Sequence, residues 1–461
     1  MRAIRDPDRL LGEGLAAIRA QFRIPQGFPP EVLAAAELAV SKVPDRHIDR
    51  TAGPFVTLDP ATSTDLDQAF AIERAGSDLL LHYAIADVAW FVAEGDPLDA
   101  EAWARGETLY LPDGKAGLYP PALAEGAASL LPEGPRPAVV LTTRVAPDGA
   151  VKLDRVERAI IRSRAKLAYE TVRAEDLPAD FAELAARIAA AEAARGAARV
   201  DPPEQEVERK ADGGYALRFR PPLASEQHNA AMSLATNMAV ADALQAAGTG
   251  LFRVMDSPDD FAVRRLRHTA RAFGLDWADA QSLEAFELAL DPADPAQAAF
   301  MLAVRRAGRG AAYVPCRPGE APWHAAMAAT YAHATAPLRR LADRYVLQAV
   351  LAVANGQPVP PEVTAAFERL PAVMAKSEAR SGQVERAVID LAEVAMLAGR
   401  EGEAFDAMVT DLGENGARIQ LCGLPVVARV PAHRVIPGDC IRVRLDAADP
   451  LRRTLTFARL A

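Results

Sequence analysis

What this 461-residue chain lacks narrows the class of protein it can be. Its three cysteines, Cys316, Cys422 and Cys440, have no metal-ligand spacing and are too few for a disulfide framework. We interpret them as small apolar side chains in a reducing compartment. No run of about 18 consecutive apolar residues occurs, so no membrane-spanning helix is expected. The first residues also lack the apolar core of a signal peptide, and we therefore expect a cytoplasmic protein.

Positive charge is scarce overall, because 62 acidic residues outnumber 52 Lys and Arg and give a formal net charge of −10. This balance argues superficially against a nucleic-acid partner, but global charge is a poor guide where a polymer threads a local channel. Arginines do cluster, at residues 162–164, 264–267, 339–340 and 452–453. Such clusters are usually solvated faces. Beside a catalytic site, they would contact a phosphate backbone.

An acidic loop is the most informative feature that is present. Residues 59–69 read DPATSTDLDQA and lie between two apolar segments, 55–58 and 69–72, that we predict as strands. The loop brings Asp59, Asp65 and Asp67 together, and hard carboxylate oxygens are ligands that magnesium prefers. Two such ions about 3.5–4 Å apart are a common device for phosphodiester hydrolysis. An acidic surface turn or a calcium loop would give a similar pattern.

A second feature is the segment around Pro337. Proline favours the first helical position, so we predict a helix that begins at Pro337 and continues through Val350. Arg339 and Arg340 would then lie in its first turn, where free backbone N–H groups and two guanidinium groups form an anion site suited to phosphate. The alternative is that both arginines pair with nearby carboxylates on the surface.

Three regions are predicted along the chain. Residues 1–50 form a short helical segment, with helices at 10–22 and 30–41 separated by a break at 24–27, and serve either as a helix-turn-helix module or as a strap on the next domain. Residues 51–402 form an α+β domain. We expect a hairpin with its turn at 147–149 and helices at 165–198, 223–247, 258–273, 295–308 and 361–402.

The tail, residues 403–461, changes character. Five short strands are predicted at 405–409, 417–421, 426–430, 440–445 and 454–457, with a hairpin turn at 414–416. Five strands of this length predict a small closed barrel of OB type.

The ordered set of motifs resembles the ribonuclease II family, whose catalytic RNB domain degrades RNA from the 3′ end. The resemblance covers most of the chain from about residue 55 to residue 403, and the tail resembles the S1-type domain that ends such chains. Members of this family commonly carry two cold-shock barrels ahead of the RNB domain, and residues 1–50 are too short to hold them. The motifs are the acidic loop, 81–88, 98–106, 109–112, 162–169, 235–237 and the pair Glu385-Arg386.

The resemblance implies a processive, hydrolytic 3′-to-5′ exoribonuclease that releases nucleoside 5′-monophosphates. It implies a two-metal mechanism with Mg²⁺, for which Mn²⁺ can substitute. Asp59, Asp65 and Asp67 match the metal ligands, and Gln68 stands where the family usually has a fourth aspartate. Of these, Asp67 matches the position on which catalysis depends most. Arg339 matches a residue that stabilises the phosphate in the transition state.

The resemblance also implies contacts with RNA. Tyr110 matches a residue that stacks on the terminal nucleotide, Tyr169 one near the sugar, and Glu385 one at the terminal ribose. Further phosphate contacts are expected from Arg339, Arg340, Arg452 and Arg453. We expect a monomer that binds single-stranded RNA, including a 3′ overhang beside a duplex, and no membrane. Because Gln68 removes one negative charge, the alternative is a catalytically weak RNA-binding protein or adaptor.

Overall fold

The fold is described by a computed structural model that covers residues 2–4, 10–197, 204–209, 214–220, 223–291, 294–308, 310–413 and 416–460. The helices in these ranges are α1 (Leu10–Gln21), α2 (Pro30–Val40), α3 (Val88–Phe91), α4 (Pro97–Arg105), α5 (Phe181–Ala194), α6 (Ala224–Ala246), α7 (Asp260–Ala272), α8 (Leu283–Glu287), α9 (Pro295–Ala307), α10 (Leu341–Ala354) and α11 (Pro361–Leu397).

The strands are β1 (Arg2–Ile4), β2 (Ile48–Asp49), β3 (Thr57–Asp59), β4 (Gln68–Ala75), β5 (Asp78–Ala86), β6 (Leu109–Leu111), β7 (Gly114–Ala116), β8 (Arg136–Val145), β9 (Val151–Ile161), β10 (Lys166–Ala168), β11 (Glu204–Arg209), β12 (Tyr215–Arg220), β13 (Leu251–Val254), β14 (Ala312–Pro315), β15 (Trp323–His324), β16 (Ala329–Thr330), β17 (Ala404–Gly413), β18 (Gly416–Leu421), β19 (Val427–Val430), β20 (Cys440–Asp449) and β21 (Thr454–Arg459). No helix in the described ranges is long and apolar enough to cross a membrane.

The central sheet has the strand order β2-β9-β8-β5-β4, in which only β2 and β9 are parallel. Alternate residues of β5, among them Leu79, Leu81 and Tyr83, are completely buried, as expected of a strand with one face on a core. Helices α6 and α10 pack on this sheet and on each other. The hairpin predicted with its turn at 147–149 is confirmed, because β8 and β9 pair on either side of it.

One predicted helix is largely wrong. Residues 166–168 form β10, which pairs in parallel with β3, and the helix begins only at Phe181. The alanine content of residues 165–198 favours a helix, but Pro178 lacks an N–H group and interrupts the segment. Pairing with β3 then supplies the backbone hydrogen bonds that a helix would have supplied. The helices predicted at 223–247, 258–273, 295–308 and 361–402 are confirmed as α6, α7, α9 and α11.

The two N-terminal helices pack on the central domain. Helix α1 buries Leu11, Leu15 and Ile18 against α11, and α2 packs on α4. The contact of α1 is close, since a methyl group at Gly14 would lie 2.5 Å from Leu391 Cδ1. This packing is what the strap interpretation expects, although the role of the segment stays a prediction. The prediction missed β1, which pairs with β12.

Three helices of the described ranges follow β13 in the sequence and precede β14, and these two strands pair with each other. These helices, α7, α8 and α9, form a separate core around Trp277, Phe286 and Phe300, with the rings of Trp277 and Phe286 stacked 5.0 Å apart. The basic cluster predicted at 264–267 is partly structural. Arg267 donates hydrogen bonds to the backbone carbonyls of four residues between 277 and 281, and its guanidinium group lies 4.1 Å from the ring of Trp277.

The tail folds into the predicted five-stranded barrel, with the strand order β19-β18-β17-β20-β21 and antiparallel pairing throughout. Its core includes Val409, Ile419, Val443 and Phe457. Register shifts in β17 and β20 bend these strands, so that the sheet nearly closes on itself. Residues 414 and 415 of the predicted hairpin turn lie outside the described residues.

Candidate active site

The acidic loop opens into a cavity of about 460 Å³. The loop between β3 and β4 forms one wall, α6 forms the second, and the segment 331–340 before α10 forms the third. Tyr110 and Tyr169 border the opening. The structure therefore brings Asp59, Asp65 and Asp67 to one cavity, as the sequence predicts.

Two of the three carboxylates are deeply placed. Burial raises the pKa of Asp59 and of Asp67 to about 7 each, and the positive charge of Arg339 opposes the shift in both cases. The Oδ1 atom of Asp67 accepts a hydrogen bond of 2.7 Å from the backbone N–H of Leu338, and its Oδ2 atom lies 3.4 Å from Arg339 Nε. A buried carboxylate with little compensation is costly, so both groups favour a bound cation or proton.

Asp65 has different surroundings. Its Oδ1 atom lies 2.7 Å from the ammonium nitrogen of Lys115, and its Oδ2 atom accepts a hydrogen bond of 3.3 Å from the hydroxyl of Tyr110. Lys115 also contacts Glu125 at 3.1 Å. A lysine from the β6–β7 hairpin thus neutralises this member of the acidic loop, a contact that nothing in the local sequence indicated.

Gln68 is held at both ends of its amide. Its Nε2 group donates to the carbonyl of Thr335 at 2.6 Å, and its Oε1 atom accepts from the hydroxyl of Tyr83 at 2.5 Å. Ser233 lies 3.5 Å from the same oxygen. These contacts make Gln68 a bridge between the central sheet and the cavity wall. They do not support its predicted role as a metal ligand, which stays a prediction.

The predicted helix start at Pro337 is wrong. Helix α10 begins at Leu341, and Arg340 before it has the extended conformation φ −130°, ψ 126°. The N–H groups of Arg339 and Arg340 both donate to the carbonyl of Ala336, so they are not free to bind an anion. Proline suits the second position of a turn as well as the start of a helix, and here Pro337 is the second residue of a turn that begins at Ala336.

Arg339 and Arg340 differ in what they face. The side chain of Arg339 is 47% exposed and points to Asp67 across the cavity. Arg340 also borders the cavity, but its guanidinium group makes two hydrogen bonds, of 2.9 and 2.8 Å, with the buried carboxylate of Asp343. Asp343 in addition accepts from the N–H of Ala336. Arg340 is therefore paired with a carboxylate, as the alternative interpretation of this segment expected, although Asp343 is buried and not on the surface.

One face of α6 supplies site residues that the sequence prediction missed as a set. Asn229, Ser233 and Asn237 are spaced four residues apart and line the cavity. Asn229 donates to the hydroxyl of Tyr169 at 2.7 Å, and Asn237 accepts from the N–H of Ala334 at 2.9 Å. Polar residues repeated every four positions on a buried helix are the signal that could have identified them.

The remaining predicted contacts lie elsewhere. Glu385 on α11 is not part of the acidic cavity. It lines a basic cleft between α9, α11 and the barrel, made of two adjoining cavities of about 450 and 320 Å³ that share Arg386 and Arg418. Arg453 also lines this cleft, whereas Arg452 is largely exposed beside it. The arginines of the cleft are Arg305, Arg306, Arg386, Arg418, Arg429 and Arg453.

The arginines of this cleft repel one another. Burial lowers the pKa of Arg418, and the nearby charges of Arg386, Arg306 and Arg429 lower it further. In the described ranges, the guanidinium group of Arg418 has no carboxylate within ion-pair distance. A cluster of arginines with too few counter-ions attracts anions, and phosphate groups would relieve the repulsion.

The residues of the acidic cavity fit a divalent cation in part. Nowhere in the described part of the chain do three acidic, histidine or cysteine side chains converge closely enough to hold one ion. Asp59 and Asp67 nevertheless offer hard oxygen atoms and buried negative charge, which a divalent cation would compensate. Asp65 is tied to Lys115, and Glu226, the fourth acidic residue that lines the cavity, is tied to Arg220. Asp59 and Asp67 are therefore the carboxylates of the cavity that are most available to a cation.

A mixed helix-and-strand domain with an acidic cavity, followed by a five-stranded barrel, is the architecture of RNase II-type proteins. The sequence pattern of the RNB domain matches residues 47–356, and that of the RNase II-type exonuclease C-terminal S1 domain matches residues 403–460. Because the first match covers more than half of the chain, the chain belongs to the RNB-domain family.

Several individual proteins are similar to this chain, at low sequence identity. Ribonuclease R of Aquifex aeolicus is 26% identical over 95% of this chain and 69% of its own length. Exoribonuclease 2 of Serratia proteamaculans is 27% identical over 87% of this chain and 65% of its own length. Ribonuclease R of Mycoplasma genitalium in complex with ribose-methylated single-stranded RNA has a TM-score of 0.87 at 19% identity, covering 100% of this chain and 79% of that one. This last likeness shows the fold alone.

The chain is shorter than these relatives. It spans 54–69% of the length of the first four curated proteins that it matches. What the whole relatives do is therefore carried to this chain only as a proposal.

Proposed function

We propose that this chain is a processive 3′-to-5′ exoribonuclease that hydrolyses RNA to nucleoside 5′-monophosphates. The observation that carries the proposal is one cavity in which the carboxylates of Asp59, which is partly buried, and Asp67, which is buried, face the half-exposed guanidinium group of Arg339. Phosphodiester hydrolysis needs negative charge that binds a cation and, opposite it, a positive charge that can reach a phosphate.

The proposed cation is Mg²⁺, with Mn²⁺ as a substitute. Asp59 and Asp67 would hold one ion, and Asp65 would contribute to a second in the two-metal mechanism that the family resemblance implies. Bound there, the ions would supply Lewis-acid stabilisation of phosphoryl oxygens and a more acidic water. No nucleophilic side chain is required.

The chain's own residues orient the substrate. Arg339 would contact the scissile phosphate and stabilise its charge in the transition state. The N–H of Leu338 fixes the carboxylate of Asp67, and a fixed carboxylate keeps its orientation during the reaction.

Two tyrosines border the cavity and suit a terminal nucleotide. Tyr110 is 56% exposed as a residue, and its ring is therefore accessible for stacking that tolerates any base. The hydroxyl of Tyr169 is held by Asn229, so a polar pair stands at the cavity wall where a 2′-hydroxyl would be recognised. We propose that this pair distinguishes RNA from DNA.

The basic cleft is the proposed path of the RNA backbone upstream of the cavity, and it includes Arg453 of the predicted contacts. Phosphate contacts of this kind are independent of sequence and weaken as salt increases. Single-stranded RNA, alone or as a 3′ overhang next to a duplex, is the proposed substrate. A monomeric state and a cytoplasmic location stay predictions.

The second candidate function is a catalytically weak RNA-binding protein. It is favoured by the contacts of Gln68 and Asp65, because the first brings no charge to the cavity and the second is neutralised by Lys115.

The deciding experiment uses one RNA labelled at the 5′ end or at the 3′ end, incubated with Mg²⁺ and resolved by length. An exonuclease acting from the 3′ end releases the 3′ label at once as a mononucleotide, while the 5′ label shortens in steps. The variant Asp67→Asn is the control for contaminating nucleases, and a circular RNA of the same sequence should persist. Binding of the RNA without any shortening at saturating Mg²⁺ would support the second candidate.

A further inference from the structure

We propose that Lys115 is a built-in counter-ion of Asp65 that competes with the second divalent cation of the site. The cavity would then bind one cation tightly through Asp59 and Asp67, and a second only when the ammonium group of Lys115 is displaced from Asp65. This inference rests on the proposed function, which it deepens by assigning the order in which the cations bind.

The position of Lys115 is fixed by its backbone. In the short β6–β7 hairpin, Lys115 is paired directly with Tyr110. Directly opposite residues in an antiparallel pair project to the same side of the hairpin, so both side chains reach the acidic loop together. Tyr110 and Lys115 accordingly contact the two different oxygen atoms of Asp65, at 3.3 and 2.7 Å.

The ammonium group bridges two acids. Glu125 lies 3.1 Å from Lys115 Nζ, and its other carboxylate oxygen accepts a hydrogen bond of 2.8 Å from the hydroxyl of Thr64 in the acidic loop. Removing the lysine would leave Asp65 and Glu125 side by side without their shared cation. Each of these two unpaired carboxylates would then have an oxygen atom close to the place where the ammonium nitrogen of Lys115 now lies. Such a place can bind a divalent cation.

Asp59 and Asp67 have no such lysine. In the structure as described, no hydrogen bond reaches the carboxylate of Asp59, and Asp67 has only the N–H of Leu338 and the half-exposed side chain of Arg339. Lys166 lies near Asp59, but its ammonium group donates to the carbonyls of Ala61 and Ser63. Among the described residues, Arg339 is the ion-pair partner of Asp67 and Asp59 has no ion pair, so these are the two carboxylates best able to balance the charge of one divalent cation.

Gln68 cannot restore the missing charge. Its amide is neutral, and both of its ends are occupied by Thr335 and Tyr83. The neutral residue at position 68 removes one negative charge from the cavity, and the lysine on Asp65 neutralises another. Compared with a site that has a carboxylate at position 68 and a free Asp65, the negative charge available to cations is lower by two units. The second cation is the one that loses affinity.

The test counts bound Mn²⁺ directly by electron paramagnetic resonance, on the full chain and without RNA. Wild type should bind one ion, and a second only at a concentration at least about tenfold higher, since a unit positive charge within a few ångströms opposes a divalent ion strongly. The variant Lys115→Met should strengthen the second binding event by at least about tenfold while leaving the first within about twofold. The matched control is Lys152→Met, which removes the same charge from an exposed position on β9 and should leave both events unchanged.

Substitutions of the aspartates test the same proposal if Lys115→Met does not fold. Because Asp65 is already neutralised, Asp65→Asn should leave the affinity of the first Mn²⁺ within about twofold, whereas Asp67→Asn should weaken it by at least about tenfold. Two equal Mn²⁺ sites in wild type, or an Asp65→Asn variant as impaired in its first site as Asp67→Asn, would overturn the proposal.

These outcomes are separate from those of the proposed function. Mn²⁺ binding is measured without substrate, so a chain that binds ions in the expected order but does not shorten RNA would contradict the proposed function alone. A chain that degrades RNA but binds two ions equally in wild type and in Lys115→Met would contradict only the role of Lys115.

Discussion

The buried carboxylate of Asp343 holds the segment 336–340, which forms part of one wall of the acidic cavity. It is completely buried, receives two hydrogen bonds from the guanidinium group of Arg340, and accepts a third from the N–H of Ala336. The substitution Asp343→Asn preserves the shape of the side chain but removes its charge. It leaves the largely buried guanidinium group of Arg340 without a counter-ion, while an amide can accept at only one of the two positions.

The expected cost follows from the burial of the pair. Breaking a buried ion pair by removing one partner costs about 3–5 kcal/mol, much of it the penalty of the remaining unpaired charge. Replacing both partners with apolar residues costs less, because no charge remains to be desolvated. The single variants Asp343→Asn and Arg340→Met should therefore each be more destabilising than the double variant Arg340→Met with Asp343→Leu.

The assay is denaturant unfolding of the wild type and the three variants, followed by fluorescence and by RNA hydrolysis under native conditions. Hydrolysis should fall even where the variant is folded, because the turn at 336–340 presents both Arg339 and the N–H that holds Asp67. An Asp343→Asn variant with the unfolding midpoint and the turnover of the wild type would show that this pair neither stabilises the fold nor positions the turn.

Four further predictions concern catalysis, sugar recognition, RNA binding and pH. Asp67→Asn should reduce RNA hydrolysis by at least about 10²–10³ while RNA affinity, measured by fluorescence anisotropy, stays nearly unchanged. Tyr169→Phe should narrow the difference in cleavage rate between RNA and DNA of one sequence; an unaltered ratio would remove Tyr169 from sugar recognition. The double variant Arg386→Gln with Arg418→Gln should weaken RNA binding and lower the slope of log Kd against log salt by about 1–2, and an unchanged slope would exclude phosphate contacts in the cleft. Burial, reinforced by Glu284, raises the pKa of Glu287 to about 8. The folded state therefore retains a proton on Glu287 that the unfolded state loses, and the contribution of Glu287 to stability should fall as pH rises from about 5 to 8, by at most about 1.4 kcal/mol per pH unit. Glu287→Gln should reduce the slope of stability against pH by this amount, and an equal slope in the variant would contradict the prediction.

The sequence predicts best where a signal is local and repeated. Alternating apolar residues identified the barrel strands, and helical spacing identified α1, α6 and α11 within a few residues. The acidic loop was placed correctly between two strands because its polar residues interrupt two apolar runs. In these elements the residue pattern and the tertiary packing favour the same structure, so local inference suffices.

Prediction fails where a local signal has two meanings that only a distant partner resolves. Pro337 suits a helix start and a turn equally, and the choice is made by Asp343, which draws the N–H of Ala336 and the side chain of Arg340 to itself. Residues 166–168 form a strand because β3, more than 100 residues earlier, offers an open edge. Neither partner is recognisable from the neighbouring residues.

The same reasoning explains why the character of the site could not be derived from its ligand residues alone. In the sequence, Gln68 is a weakened ligand, because it stands in a run of carboxylates and carries no charge. In the structure its amide donates to Thr335, which lies 267 positions further along the chain, and accepts from Tyr83 of the adjacent strand. A carboxylate could not make the first of these contacts, because it has no proton to donate to a carbonyl when ionised. An aspartate at this position would therefore add charge to the cavity but release the segment that carries Arg339. The neutral residue at position 68 and the lysine on Asp65 are thus two parts of one arrangement, in which the contacts that fix the cavity walls are made at the expense of charge for the second cation.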